Sequence, residues 1–159
     1  MSRWSPRVTV ACVVERDGRY LVVEEERGGP ATLFNQPAGH LEPDESLLEA
    51  VRREVLEETA WRITPQAYLG LYCFRTASGL TFHSHGFIAR PESRLDRALD
   101  RDILACHWLT LEEIETLERA GRLRSPLVLQ RIQDAAAGRH YPLKVIHEIN
   151  LPRRPHSGA

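Results

Sequence analysis

The 159-residue sequence predicts an α/β protein, with a mixed β-sheet packed between helical layers as an α/β/α sandwich. Three observations predict it. Apolar residues at period two open the chain, a capped amphipathic helix with strands on either side occupies its middle, and two further helix starts close it.

Val8, Val10, Cys12 and Val14 alternate with Thr9, Ala11 and Val13, so the first strand is apolar on both faces. "RDGR" (16–19) carries the Asp-Gly pair of a tight hairpin, and Tyr20 to Val23 is the returning strand. Residues 26–36 read as loop, broken by Gly28-Gly29-Pro30. Ser46 with Glu49 forms an S-x-x-E capping box, and Leu47, Ala50, Val51 and Val55 follow at helical spacing. Strands are expected over 67–75 and 80–89, joined at Ser78-Gly79, and over 103–109. Thr110 with Glu113 opens a helix to about Arg119, and Ser125-Pro126 opens the last one, to about Ala137. One domain is expected over 1–159, with its core at about 7–147 and a flexible tail over 151–159.

Apolar residues make up 42% and charged residues 27% of the chain, as in soluble globular proteins. The net charge of −1 gives no global field for nucleic acid or an anionic membrane, so a polyanionic substrate needs a local device. No apolar run approaches the ~20 residues that span a bilayer. Met1 to Arg7 is polar and contains Pro6, unlike a signal peptide. Cys12, Cys73 and Cys106 lie in apolar stretches without a CxxC spacing, and read as small buried hydrophobes in a reducing compartment. The cytoplasm is the expected location. No apolar seam marks an interface, so a monomer is the default and a homodimer stays open.

The central helix places Glu54, Glu57 and Glu58 within an arc of roughly 100°. Glu54 and Glu58 are a like-charged i,i+4 pair, which is mildly destabilising. A solvated acidic face, laced by Glu49–Arg53 and Arg53–Glu57, is one explanation. It accounts poorly for three carboxylates clustered beside the apolar stripe. A hard divalent cation accounts for them better, because it takes oxygen ligands and shares itself between carboxylates and substrate phosphate.

Gly39, Glu45, Arg53, Glu54, Val55, Glu57 and Glu58 stand at the spacings of G-x5-E-x7-R-E-U-x-E-E-x-G-U, where U is a bulky apolar residue. The stretch resembles the Nudix box. Ala60 replaces its final glycine and Trp61 the usual aliphatic residue. A left-handed Ala60 would cost on the order of 1 kcal/mol, unless the helix ends differently.

The resemblance implies the Nudix fold and a Mg²⁺-dependent hydrolase of organic diphosphates, with Mn²⁺ as an alternative ion. It further implies that Glu54, Glu57 and Glu58 ligate the metal together with the Gly39 carbonyl. In some members the residue matching Glu54 is the base. Arg53 and Glu45 would orient the carboxylates through a salt bridge. "VTVACVV" (8–14), "LVVEE" (21–25), "NQPAGHLE" (35–42), "LRSPLV" (123–128) and "YPL" (141–143) look like the NudJ-type phosphatases within that family. By implication the substrates are nucleoside di- and triphosphates, thiamine diphosphate and hydroxymethylpyrimidine diphosphate, which would lose a terminal phosphate.

Phe34, Asn35, Gln36 and His40 flank the metal loop and are candidate substrate contacts, as is Arg124 before the last helix. Asp100 and Asp102 could add a late carboxylate. His83 and His85 share a strand face, yet no third soft ligand accompanies them for zinc. Two alternatives stay open: an ADP-ribose or other nucleoside-diphosphate-sugar pyrophosphatase, and a non-catalytic nucleotide-sensing module.

Overall fold

Asp17 and Gly18 both take positive φ, 52° and 75°, which is what a two-residue type I′ hairpin demands. In the computed structural model, which describes residues 2–152, this turn joins β1 (Arg7–Arg16) to β2 (Arg19–Glu25). The rest of the order is β3 (Leu33–Asn35), β4 (Ala38–His40), α1 (Leu47–Thr59), β5 (Trp61–Arg75), β6 (Thr81–Arg94), β7 (Ile103–Thr110), α2 (Leu111–Arg119) and α3 (Leu127–Ala136). A single 3₁₀ turn, Leu143–Val145, follows. Residues 153–159 of the expected flexible tail lie outside the described residues. Among the described residues no helix is long and apolar enough to cross a membrane.

The strands run in the order β3-β2-β1-β6-β5, with β4 pairing on β1 and β7 on β2. The β1–β6 pair is parallel and the others are antiparallel, so the sheet is mixed as expected. Because β1 is apolar on both faces, it feeds two cores. Val10, Cys12 and Val14 pack with Val51, Val55 and Phe87 beneath α1. Val13 packs with Val22, Leu69, Ile114 and Ile132 beneath α2 and α3.

Four features depart from the sequence reading. The loop expected over 26–36 contains β3, and β4 follows at once; three-residue strands are too short for periodicity to register. β5 starts at Trp61 rather than Ala67, and β6 runs to Arg94 rather than Ala89. Register shifts between Arg62 and Ile63 and between Pro65 and Ala67 absorb the prolines that masked these extensions. Pro126 is the cap position of α3 and Ser125 precedes it, although the Ser125 hydroxyl still accepts from the Leu127 N–H at 3.3 Å. Cys73 is exposed, on β5 at the end of the strand order, while Cys12 is buried and Cys106 half-buried.

Ser46 caps α1 with both bonds of its capping box. At the other end Ala60 does occupy the left-handed region, at φ 63° and ψ 10°, and its N–H donates to the Leu56 carbonyl at 2.9 Å. The exit is fixed by tertiary contacts. The Trp61 N–H donates to Thr59 Oγ1 at 3.1 Å, and the Trp61 ring meets Trp108 edge-on at 5.7 Å. The Arg16 guanidinium covers both indoles, at 5.1 and 4.3 Å. Packing on this scale supplies what the left-handed alanine forfeits. Ala60→Gly should therefore stabilise the protein by about 0.5–1 kcal/mol, read from urea denaturation; a loss of stability would show that the alanine methyl matters more than its φ.

Candidate active site

The last turn of a helix presents unpaired carbonyls and the negative end of its dipole. In α1 that turn carries Glu57 and Glu58 and no basic residue, with Glu54 one turn earlier on the same face. The loop between β6 and β7 closes over it. The Leu95 N–H donates to the Ala60 carbonyl at 2.8 Å, and the Asp100 N–H to the Glu57 carbonyl at 3.0 Å. The Cys106 thiol donates to the Glu58 carbonyl at 3.3 Å. Satisfying the helix end in this way brings Asp100 beside the glutamates. One carboxylate oxygen each from Glu54, Glu57 and Asp100 lie within 4.8 Å of one another, a set that could hold a divalent cation. Asp102 is outside this set, and its carbonyl accepts from the Glu26 N–H at 3.0 Å.

The solvated-face explanation fails on burial: Glu54 is 9% and Glu58 7% exposed. Arg53 is the counterweight. It makes a bidentate pair with Glu45 (2.6 and 3.0 Å) and reaches Glu54 (2.9 Å), Glu57 (3.1 Å) and the His40 carbonyl (3.0 Å). The fork geometry of a guanidinium is what allows one side chain to hold three carboxylates in place. Glu49, the other partner expected for Arg53, is engaged in the capping box.

One cation against this many carboxylates leaves a negative excess. Burial, then the charges of Glu57 and Asp100, push Glu54 above its ordinary value, against the pull of Arg53. Glu58 is pushed up to about 9, chiefly by burial and also by Glu54, Glu25 and Asp100, although the Ala38 N–H donates to its Oε1 at 2.7 Å. Gly39 packs against this group: a Cβ there would overlap the Glu54 carboxylate. The site therefore needs glycine at 39 for room, quite apart from its carbonyl.

Beside the cluster lies a cavity of about 640 Å³, within the usual range for small-molecule sites. Asn35, His40, Arg124, Gly39 and Glu58 line it. Phe34 and Gln36 do not. Phe34 packs in the core between His107 (5.7 Å) and the Arg122 guanidinium (5.4 Å). Gln36 is 1% exposed, and its amide is spent on the Val128 carbonyl and on Arg131. His83 and His85 join no metal-binding group among the described residues; His85 Nδ1 shares a 2.9 Å hydrogen bond with the Tyr68 hydroxyl.

Among the lining residues that sequence reasoning passed over are Glu25, Arg27 and Arg131. Glu25 is 6% exposed, and its Oε2 lacks a hydrogen bond, with Arg27 Nε at 3.8 Å. Its signal was an acidic residue closing the apolar strand "LVVEE". Arg131 shares the α3 stripe with Val128 and Ile132, a charge at a core position.

The acidic helix end, held by one arginine, thus lies beside a cavity lined by Arg27, Arg75, Arg124 and Arg131. A Nudix domain model matches residues 5–131. The chain belongs to the Nudix family and is a phosphohydrolase of it. It is 42% identical over 150 residues to the phosphatase NudJ of Escherichia coli (strain K12), covering 94% of this chain and 95% of the relative. The phosphatase NudJ of Shigella boydii serotype 4 matches to the same extent. A solved Nudix hydrolase from Nitrosomonas europaea, 43% identical, superposes with a TM-score of 0.86 over 91% of this chain and 97% of that one.

Proposed function

We propose that the protein is a Mg²⁺-dependent phosphatase that removes the terminal phosphate from nucleoside di- and triphosphates and from thiamine-type organic diphosphates, leaving the monophosphate. The observation that carries this reading is that Gly39 lies between the Glu54 carboxylate of the Glu54–Glu57–Asp100 cluster and an arginine-lined cavity. Its likeness to phosphatases named NudJ over nearly the whole chain supports it.

The donor set is all oxygen, and burial, helped by the neighbouring carboxylates, raises both Glu54 and Glu58, which fits a site completed by a hard divalent ion. Glu54, Glu57, Glu58 and the Gly39 carbonyl would hold it, with Asp100 added. A divalent ion held there neutralises phosphate charge and acidifies water. The remaining work falls to side chains. Arg27 and Arg124 receive the phosphate oxygens; burial and the nearby Arg27 cation press Arg124 below its ordinary value, while Glu25 opposes them, a balance that an anion would shift in its favour. Arg53 and Glu45 fix the carboxylates. Glu54 takes the proton as water oxygen bonds to the terminal phosphorus and the bridging P–O bond breaks. Orthophosphate leaves, and the bridging oxygen stays with the organic monophosphate. His40 and Asn35 face the cavity as substrate contacts.

A panel of thiamine diphosphate, hydroxymethylpyrimidine diphosphate, nucleoside di- and triphosphates and ADP-ribose tests the proposal. Orthophosphate from the diphosphates is the expected product. Turnover confined to ADP-ribose would favour the pyrophosphatase alternative.

Glu58 also sets a pH dependence. Folding raises its pKa from an ordinary value near 4.5 to about 9, so the folded chain binds this proton more tightly than the unfolded one. That contribution is complete below about pH 4.5 and is lost as pH rises toward 9. Without metal, the melting temperature should fall between about pH 6 and pH 9. Mg²⁺ should restore it, and more at the higher pH because its ligand must be ionised. A metal-induced rise no larger at pH 9 than at pH 6 would contradict the assignment of Glu58.

A further inference from the structure

Arg27 and Arg124 line one cavity, yet each stands on a segment with little regular structure of its own. Arg27 opens the stretch "RGGPAT" (27–32) between β2 and β3, and Arg124 lies between α2 and α3. Two like charges on one cavity repel, and a loop built on Gly28 and Gly29 has many conformations to escape into. A pair of cations meant to receive one anion therefore needs a brace between the two segments.

Arg122 supplies it with its backbone and its side chain. α2 stops in a Schellman turn: Gly121, at φ 68°, donates to the Glu118 carbonyl at 2.9 Å, and the Arg122 N–H to the Leu117 carbonyl at 2.8 Å. That turn lays 122–124 alongside β3. The Phe34 N–H donates to the Arg122 carbonyl and the Arg124 N–H to the Phe34 carbonyl, both at 2.8 Å, a parallel bridge between Phe34 and Leu123. The Arg122 side chain then crosses to the loop. Its Nε donates to the Thr32 carbonyl and a terminal nitrogen to Thr32 Oγ1, both at 2.6 Å, with the guanidinium over the Phe34 ring. Thr32 is anchored in turn, because its hydroxyl donates to Glu24 Oε2 at 2.7 Å and Glu24 Oε1 shares a 3.0 Å bond with His107 Nε2. The start of the loop is pinned by the Glu26 N–H on the Asp102 carbonyl at 3.0 Å. Arg122 itself does not line the cavity.

We infer that Arg122 is a positioning residue for phosphate binding: it clamps the loop that bears Arg27 to the segment that bears Arg124, and so presets the spacing of the two cations. This rests on the reading of Arg27 and Arg124 as phosphate contacts. A guanidinium that grips one residue through two donors of its rigid fork leaves that residue little freedom. Ordering the two arms before the anion arrives removes the ordering cost from the binding step. Arg122 thus acts on affinity, through the two arginines, and not on the acidic cluster.

Steady-state kinetics on a nucleoside diphosphate with Mg²⁺ tests it. Arg122→Met keeps an apolar stem against Phe34 and removes both bonds to Thr32. It should raise KM roughly tenfold with kcat near the wild-type value, and Arg122→Lys should recover part of the loss. Thr32→Val, which gives up the hydroxyl and keeps the carbonyl, should raise KM by less and serves if Arg122→Met does not fold. In an Arg124→Met background, Arg122→Met should add little to KM, because the pair it presets is already broken; a staple that only stabilises the fold would add its full effect. An unchanged KM in both Arg122→Met and Thr32→Val, full additivity with Arg124→Met, or a fall in kcat at constant KM would overturn the inference and leave the hydrolase intact. Absence of turnover on every diphosphate would overturn both.

Discussion

Glu58→Gln should lower turnover at least about a hundredfold while leaving the metal-free fold intact or slightly more stable. The glutamine oxygen can still accept from the Ala38 N–H. Glu58 favours its neutral form in the metal-free protein, and an amide of the same shape reproduces that form. It also spares the chain the proton uptake that folding requires of Glu58 above its ordinary pKa. Glu57→Gln tests the same centre from its exposed side. Glu57 is about one-third exposed and contributes one arm of the Arg53 network, so stability should change by only about 0.5 kcal/mol while activity falls comparably. Steady-state kinetics beside thermal melting separates the effects. Unchanged turnover in both variants would sink the metal assignment, and collapse of the fold in Glu58→Gln would make the residue structural.

Gly39→Ala should also lower turnover by one to two orders of magnitude, an outer-support effect of the usual size. The new methyl would occupy the space of the Glu54 carboxylate. That group is the end of a flexible side chain, so the fold can yield by swinging it aside. Swinging it aside breaks its 2.9 Å bond to Arg53 and removes it from Glu57 and Asp100. The melting temperature should drop by only a few degrees, against a large loss of activity and Mg²⁺ stabilisation. Gly29→Ala is the control, since a Cβ there meets only the Ala31 carbonyl at 3.9 Å. Full activity in Gly39→Ala would mean that the position of Glu54 is not critical.

The two variants show where sequence reasoning ends. The spacing of Gly39, Glu45, Arg53, Glu54, Glu57 and Glu58 was visible because α1 fixes their geometry over a single helix and one neighbouring strand. Asp100 was a candidate only, because a loop residue gains its place from bonds to α1 carbonyls, which no local pattern encodes. Phe34 and Gln36 looked like substrate contacts from their proximity in sequence. The three-residue strand β3 alternates its side chains, and it turns Phe34 into the core. Arg131 and Glu25 went unread for a related reason. Each is a charge at a position whose period says core, and only the tertiary structure shows what lies opposite. The long β5 and β6 were underestimated because register shifts hid the prolines' compatibility with the sheet.

The most direct measurement is product identification by phosphorus NMR on a nucleoside diphosphate, thiamine diphosphate and ADP-ribose, with and without Mg²⁺, for the wild type and Glu58→Gln. The predicted result is orthophosphate and the corresponding monophosphate from the two simple diphosphates, dependent on Mg²⁺ and lost in the variant. Release of two monophosphates from ADP-ribose, with no orthophosphate from any substrate, would contradict it.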